Sequence, residues 1–280
     1  MSQILVLGGG VAGLAVTRAL RFAPVEITLV DREPRHLAAR DLYALALGRR
    51  AGVRRDALLN GQKNVRLVTG DAIYVDTARR RLMLPEQALP YDTLVVATGS
   101  RARYGREEWS RQAPSIRTPA GAQRVAETLR ATSGTVIVVG GGQSGVELAA
   151  HVARKWPDRP VVLLDEGKTL LAHFPERLQQ EAERRLRKLG VEIRYELHVI
   201  AVQSTGVRVS GPNGRETVTG SAVLWAGGTE GSEFGQILAK ETAAPLDDFG
   251  RIRVRPDLTT PGHPEIYVIG DLARVETSGE

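Results

Sequence analysis

Short apolar runs recur along this chain and alternate with amphipathic stretches. Strands are predicted at residues 3–7, 26–31, 135–139 and 160–165, because their centres are apolar, as in strands buried on both faces of a parallel sheet. Helical periodicity predicts helices over residues 11–22, 121–132, 144–155 and 175–189. Strands that alternate with helices in this way are typical of α/β proteins.

Further runs extend this pattern to the rest of the chain. Residues 89–99 and 221–228 predict buried strands that end on small residues, and residues 264–271 predict a strand that ends on Gly-Asp. Alternating patterns predict shorter strands at residues 65–69, 72–76, 81–85, 191–195, 198–203, 206–210 and 216–219. A helix is also predicted around residues 40–47, and residues 100–119 are expected to link two domains.

Two of the strand-to-helix turns carry the same glycine pattern. Residues 8–13 read Gly-Gly-Gly-Val-Ala-Gly and residues 140–145 read Gly-Gly-Gly-Gln-Ser-Gly, each after four apolar residues. The glycines have three roles in order: a tight turn, close approach of the backbone to a pyrophosphate, and packing of the helix on the strand. They are Gly8, Gly10 and Gly13 in the first copy and Gly140, Gly142 and Gly145 in the second. The pyrophosphate then lies at a helix N-terminus, where unpaired N–H groups and the helix dipole favour an anion.

An acidic residue ends the strand that follows each glycine turn. Asp31 lies 23 residues beyond Gly8, and Asp165 lies 25 residues beyond Gly140. This is near the spacing of a carboxylate that binds an adenosine ribose, and such a carboxylate favours NADH over NADPH. A single copy could also be a glycine-rich turn of an α/β protein that binds no ligand. Two copies, each with its carboxylate, are harder to explain in that way. The sequence therefore predicts two dinucleotide cofactors, one of which transfers a group to the other.

Composition and charge exclude several classes of function. The chain has 280 residues and a formal net charge of +6, and 33 of its 38 basic residues are arginine. Because these arginines are spread along the chain among 32 acidic residues, they argue against a nucleic-acid site. The sequence has no run of 18 apolar residues and no signal-peptide pattern, so a cytoplasmic protein without a transmembrane segment is expected.

The absence of cysteine excludes thiol chemistry. Disulfide reduction, sulfide oxidation and thiol peroxidase activity need a thiolate, and this sequence has no cysteine. The five histidines show no metal-ligand spacing, so no metal site is predicted.

The order of these elements resembles that of the pyridine nucleotide-disulfide oxidoreductase superfamily. It is most similar to the type II NADH dehydrogenases, which are NADH:quinone oxidoreductases that need no cysteine. The stretches that carry the resemblance are residues 89–99, 105–114, 140–147, 170–176, 223–228 and 251–271. The resemblance implies an α/β fold with two Rossmann-like dinucleotide-binding domains, in which the NADH-binding domain (residues 113–235) is nested within the FAD-binding domain (residues 1–112 and 236–280).

The same resemblance implies which residues bind each cofactor. For FAD they are Gly8, Gly10, Ala12, Gly13, Asp31, Arg32, Ala72, Ala97, Thr98, Gly99, Gly270 and Asp271. For NADH they are Gly140, Gly142, Ser144, Gly145, Asp165, Glu166, Ala226, Gly227 and Gly228. Asp31 would bind the FAD ribose and Asp271 the ribitol, and the backbone of Ala72 would contact adenine. Thr98 and Gly99 would line the flavin.

Glu147 is the residue with an implied catalytic role. In the family this glutamate lies beside the nicotinamide and the flavin and influences hydride transfer. A structural role is the alternative, because the helix dipole by itself favours an acid in the first turn of a helix.

We therefore expect an FAD-dependent enzyme that passes a hydride from NADH to flavin and then electrons to a small-molecule acceptor, by resemblance a quinone. An NADH reductase of a ferredoxin-like carrier and a non-catalytic nucleotide-binding fragment are the alternatives, and a homodimer is an open alternative to a monomer. The sequence stops nine residues after Asp271. In the family a C-terminal region follows that helps to hold the flavin, contacts the quinone and associates with the membrane, and this sequence does not include it. From this we expect weaker FAD binding, and a location at the inner membrane face only if such a region exists.

Overall fold

The structure of the chain is a computed structural model that describes residues 1–49, 52–59 and 61–275. The chain divides into two compact units, of which the first comprises residues 1–38, 52–101 and 229–280. The second comprises residues 39–51 and 102–228. In sequence the second unit is thus inserted in the first. Its longer segment is residues 102–228, where the prediction has 113–235, and residues 39–51, which the prediction gives to the FAD-binding domain, also belong to it.

A six-stranded sheet forms the centre of the first unit. In spatial order its strands are Thr259–Thr260, His263–Val268, Thr93–Val96, Ser2–Leu7, Val25–Asp31 and Val65–Thr69. Thr259–Thr260 is antiparallel to its neighbour, and the other strands run parallel. Val6, at the centre, is fully buried and pairs with Leu29 on one side and Val95 on the other. Burial on both faces explains why these strands are apolar in sequence.

Smaller elements complete the first unit. A three-stranded antiparallel sheet contains Tyr74–Asp76, Arg81–Met83 and Ala88–Pro90. Two-stranded pairs join Arg35–His36 to Val53–Arg54, Ser100–Ala102 to Thr229–Gly231, and Ile252–Val254 to Ala273–Val275. The α-helices are Val11–Ala19, Arg55–Leu58 and Glu233–Thr242, and Gly270–Leu272 is a 3₁₀ turn. The sequence pattern does not predict the helix Glu233–Thr242, which begins where the Ser232 side chain accepts the Gly235 N–H at 3.3 Å.

A parallel four-stranded sheet forms the centre of the second unit. Its strands, in spatial order, are Val191–Arg194, Val161–Leu164, Val136–Val139 and Ala222–Trp225. Every residue of the last three strands is buried. An antiparallel sheet of His198–Gln203, Gly206–Gly211 and Gly214–Thr219 follows. The α-helices are Ala39–Ala46, Trp109–Gln112, Pro119–Ala131, Gln143–Lys155 and Glu176–Lys188.

Residues 39–49 belong to the second unit because of how their helix packs. Tyr43 and Ala46 are buried in the same apolar cluster as Val125 and Leu129 of the helix Pro119–Ala131. In the described ranges, no helix combines the length and apolar character needed to cross a membrane.

Candidate dinucleotide-binding sites

The first glycine turn (residues 8–13) joins the strand Ser2–Leu7 to the helix Val11–Ala19. Gly8 has φ = 103°, and a Cβ atom there would lie closer than 3.0 Å to the backbone carbonyl of Ala97. A Cβ on Gly13 would overlap the Gly8 carbonyl oxygen. The tight turn and the close packing of the helix on the strand therefore both require glycine.

Gly10 differs from these two glycines because a Cβ on it would meet no atom of the described residues within 4 Å. It is also the N-cap of the helix Val11–Ala19, and no side chain caps that helix end. The backbone N–H groups of the first helical turn, which includes Ala12, thus lie beside the open space at Gly10. These residues fit the diphosphate of a dinucleotide, which needs backbone donors and room for close approach.

The second glycine turn (residues 140–145) repeats this geometry. Gly140 has φ = 108°, and a Cβ there would lie closer than 3.0 Å to the Ala226 carbonyl. A Cβ on Gly145 would overlap the Gly140 carbonyl oxygen, whereas one on Gly142 would meet none of the atoms that the structure describes within 4 Å. The helix Gln143–Lys155 begins at Gly142, again without a side-chain cap.

Both predicted ribose-binding carboxylates are bound to their glycine turns. Asp31 accepts the Gly9 N–H at 2.6 Å and the Glu33 N–H at 2.8 Å. Asp165 accepts the N–H of Gly141 and, at 2.8 Å, that of Gly167. Each carboxylate is therefore fixed beside the turn and oriented by two backbone donors, which leaves acceptor capacity for ribose hydroxyls.

Arg55 is a residue of the first site that the sequence pattern does not reveal. Its Nη2 atom lies 2.8 Å from Asp31 Oδ1, and its Nε donates to the Gly9 carbonyl oxygen at 3.4 Å. His36 Nδ1 lies 3.1 Å from the same oxygen. The Arg55 side chain is 8% exposed, so this ion pair is largely shielded from water. Nothing in the local sequence distinguishes Arg55 from the other arginines of the chain.

The predicted flavin-lining residues lie where two strands of the first unit end. Thr98 Oγ1 lies 2.7 Å from Ser232 Oγ, and the Ser232 N–H donates to the Gly99 carbonyl at 3.2 Å. Gly99 has φ = 68° and open space where a Cβ would be. Ser232 is a further residue of this corner that the sequence pattern does not predict.

Gly270 and Asp271 follow the neighbouring strand His263–Val268. Gly270 has φ = 72°, which allows the turn, and Asp271 Oδ2 accepts from Ser100 Oγ at 3.1 Å. A Cβ on Gly270 would approach the Cβ of Ala12 at 3.1 Å, so this turn lies close to the helix that begins at the first glycine turn.

Arg32 and Ala72 occupy more peripheral positions of the first unit. Arg32 is exposed and forms an ion pair with Asp71 at 3.3 Å. Ala72 is half-buried against the apolar core. Their assignment to FAD stays a prediction.

Glu147 lies in the first turns of the helix Gln143–Lys155 and is half-buried. Gln143 Nε2 donates to Glu147 Oε1 at 3.3 Å. Burial, together with a hydrogen bond to the Glu147 carboxylate, raises the pKa of Tyr43, while a hydrogen bond with Ser144 lowers it. The Tyr43 ring packs against the ring of His151, with 5.2 Å between centroids, and burial lowers the pKa of that histidine. The Tyr43 phenol is thus a neighbour of the Glu147 carboxylate that the sequence pattern does not connect with it.

Residues 226–228 form the small-residue corner after the strand Ala222–Trp225. A Cβ on Gly227 would lie closer than 3.0 Å to the Trp225 ring, and Gly228 has φ = 110°. Trp225 Nε1 donates to the Arg103 carbonyl at 2.7 Å, which holds this corner in place.

Glu166, next to Asp165, is exposed, and its Oε2 lies 3.1 Å from Nδ1 of the exposed His198. Across the residues that the structure describes, no group of three or more acidic and histidine side chains could hold a metal ion.

Comparisons with known proteins agree with this geometry. The model of the pyridine nucleotide-disulphide oxidoreductase family matches residues 2–279. The type II NADH:quinone oxidoreductase NdhA of Mycobacterium tuberculosis is 31% identical, over 96% of this chain and 66% of its own length. The related oxidoreductase Ndh of the same organism is 30% identical, over 98% and 67%. The chain thus spans about two thirds of the length of these relatives.

Two solved structures have the same fold. NDH2 from Plasmodium falciparum in complex with NADH has a TM-score of 0.86 at 18% identity, over 98% of this chain and 65% of that one. The sulfide:quinone oxidoreductase of Aquifex aeolicus has a TM-score of 0.83 at 20% identity, over 98% and 69%. The predicted α/β fold class with Rossmann-like dinucleotide-binding architecture is confirmed.

Proposed function

Because the chain belongs to the pyridine nucleotide-disulphide oxidoreductase family, we propose that it is an FAD-dependent NADH oxidoreductase. The family resemblance inferred from the sequence is thereby confirmed. In this proposal the first unit binds FAD and the second binds NADH, and the electrons of NADH pass through the flavin to a quinone-type acceptor.

The duplicated glycine turn is the observation that carries the proposal. Each turn leaves the backbone uncovered at its second glycine, Gly10 or Gly142, and each has a carboxylate fixed by hydrogen bonds beside it. A single turn of this kind would support one bound nucleotide. Two turns with the same geometry support a pair of dinucleotides, as a transfer between cofactors requires.

FAD supplies the redox chemistry when bound, and the residues of this chain bind and orient the two cofactors. Asp31 and Asp165 offer carboxylate oxygens to the two adenosine riboses. Thr98 and Asp271, at the corners after two adjacent strands, would line the flavin and bind its ribitol. Glu147, held by Gln143, provides a negative charge at the NADH site.

A quinone is the favoured acceptor because the most similar relatives named above are NADH:quinone oxidoreductases. A relative from Synechocystis, 28% identical over 97% of this chain, is named a demethylphylloquinone reductase. No thiol of this chain can accept electrons, because its sequence has no cysteine. A cytoplasmic location and a homodimer stay predictions.

The test begins with the visible spectrum of the purified protein after incubation with FAD and removal of free flavin. We expect a bound-flavin spectrum that NADH bleaches in the absence of oxygen. Short-chain ubiquinone and menaquinone analogues should then restore the oxidised spectrum faster than a ferredoxin does. A protein that retains no flavin, or whose flavin NADH cannot reduce, would refute the proposal, and faster oxidation by ferredoxin would refute the quinone assignment.

A further inference from the structure

We infer that Arg55 makes the first glycine turn a stronger binding site for a dinucleotide diphosphate than the second. This inference rests on the proposed binding of FAD to the first unit and NADH to the second. FAD stays bound as a cofactor, whereas NADH exchanges as a substrate. In this inference the buried Arg55 accounts for part of that difference in affinity.

Arg55 is part of the first turn although it lies 46 residues from it in sequence. A Cβ on Gly9 would lie closer than 3.0 Å to Nε and Cδ of Arg55, so the side chain rests directly on the turn. Nη2 pairs with Asp31 at 2.8 Å, and Nε donates to Gly9. Among the described residues Nη1 has no hydrogen-bond partner, so its donors are available to a phosphate oxygen.

An aliphatic side chain lies against the second turn at the matching place. A Cβ on Gly141 would lie closer than 3.0 Å to Leu170, which is 1% exposed. The Gly141 carbonyl accepts a backbone N–H, that of Leu171 at 2.9 Å, where the Gly9 carbonyl accepts from a guanidinium. Within the described part of the chain, no Arg or Lys approaches Asp165 within the 4.0 Å of an ion pair.

The two turns therefore present different charges to the same ligand group. At the first turn the Asp31 charge is neutralised by Arg55, and at the second the Asp165 charge is not. A diphosphate carries negative charge, so the Asp165 carboxylate repels it, whereas the Asp31–Arg55 pair has no net negative charge and offers guanidinium N–H donors. Because Arg55 is buried, solvent and salt screen its charge much less than that of a surface arginine.

Titration of the apoprotein with FAD, followed by quenching of flavin fluorescence, tests this inference. Arg55→Leu gives the first turn the side chain found at the second. We expect it to raise the Kd for FAD by about tenfold to a hundredfold, as the loss of a charge-assisted hydrogen bond does, while the Kd for NADH stays unchanged. Arg54→Leu is the matched control, because Arg54 is 73% exposed and its ion-pair partner among the described residues is the nearby surface residue Asp56, so this variant should bind FAD like wild type.

Arg55→Lys and Arg55→Gln keep the test valid if the leucine variant does not fold. Lysine keeps the charge and glutamine does not, so Lys should bind FAD more tightly than Gln. Equal FAD affinity of wild type and Arg55→Leu, or of the Lys and Gln variants, would overturn the role of Arg55 while leaving the proposed function standing. A wild-type protein that binds no FAD would overturn the proposed function and this inference with it.

Discussion

Replacement of Asp165 should change the choice between NADH and NADPH. Its carboxylate accepts the N–H groups of Gly141 and Gly167. A carboxylate has about four acceptor positions, so about two are left for the hydroxyls of the adenosine ribose. Asp165→Asn keeps the shape of the side chain but leaves one oxygen, and its NH₂ group faces donors rather than acceptors.

The size of the effect follows from these bonds. A hydrogen bond to a charged group contributes about 1.5–3 kcal/mol, so loss of the ribose bond should weaken NADH binding by about tenfold to a hundredfold. NADPH loses the same bond, but its 2′-phosphate is no longer repelled by the Asp165 carboxylate. Two like charges about 4 Å apart repel by about 4 kcal/mol at an effective dielectric constant of about 20. The preference of Asp165→Asn for NADH should therefore be at least about tenfold smaller than that of wild type.

The assay is the ratio of kcat/KM for NADH to kcat/KM for NADPH, with a melting curve to show that the variant is folded. Asp31→Asn is the matched control, because Asp31 has the same two backbone bonds at the other turn and should leave the ratio unchanged. Equal use of both nucleotides by the wild type would refute the reasoning. So would an equal loss for both nucleotides in Asp165→Asn, because the carboxylate would then only shape the turn.

Four further variants test the second unit. Glu147→Gln should slow the reduction of bound flavin by NADH in stopped-flow measurements without lowering Tm; a structural acid would cost about 0.3–1 kcal/mol and leave the rate unchanged. Burial lowers the pKa of His151 in the folded state, so the unfolded chain takes up this proton first and stability falls as the pH drops below the usual histidine value. Urea unfolding should therefore show that the free energy of unfolding falls less in His151→Gln than in wild type between about pH 7 and pH 5. An equal fall in the two proteins would contradict this. Gly145→Ala should cost about 1–3 kcal/mol because its Cβ would overlap the Gly140 carbonyl. Gly142→Ala should instead keep Tm and weaken NADH binding, since its Cβ would enter open space; a lowered Tm with unchanged NADH binding would contradict this.

The sequence predicts the central strands and the glycine turns well because both depend on local chemistry. The strand predicted at residues 135–139 is Val136–Val139, and the helix predicted at residues 175–189 is Glu176–Lys188. A strand buried on both faces must be apolar, and a tight turn with φ near 100° must be glycine, so both leave a signal in a few neighbouring residues.

Contacts between distant parts of the chain leave no such signal. Ser232 reaches Thr98 across 134 residues, and Arg55 reaches Gly9 across 46. The helix Ala39–Ala46 is visible in the pattern, but nothing local indicates that its Tyr43 packs in the core of the second unit. Only the packed structure shows which residues support the glycine turns and Glu147.

The glycines of each turn also differ in what they say about function. Gly8 and Gly13 are required by the fold itself, since a side chain at either would collide with backbone atoms of the same unit. Any α/β protein with so tight a strand-to-helix connection would need them, whether or not it binds a nucleotide. Gly10 has no such requirement, because a Cβ there would touch no atom in the described part of the chain. A glycine that the fold does not need, at an uncapped helix end beside a fixed carboxylate, is best explained by a ligand that comes close to the backbone, and this holds equally for Gly142.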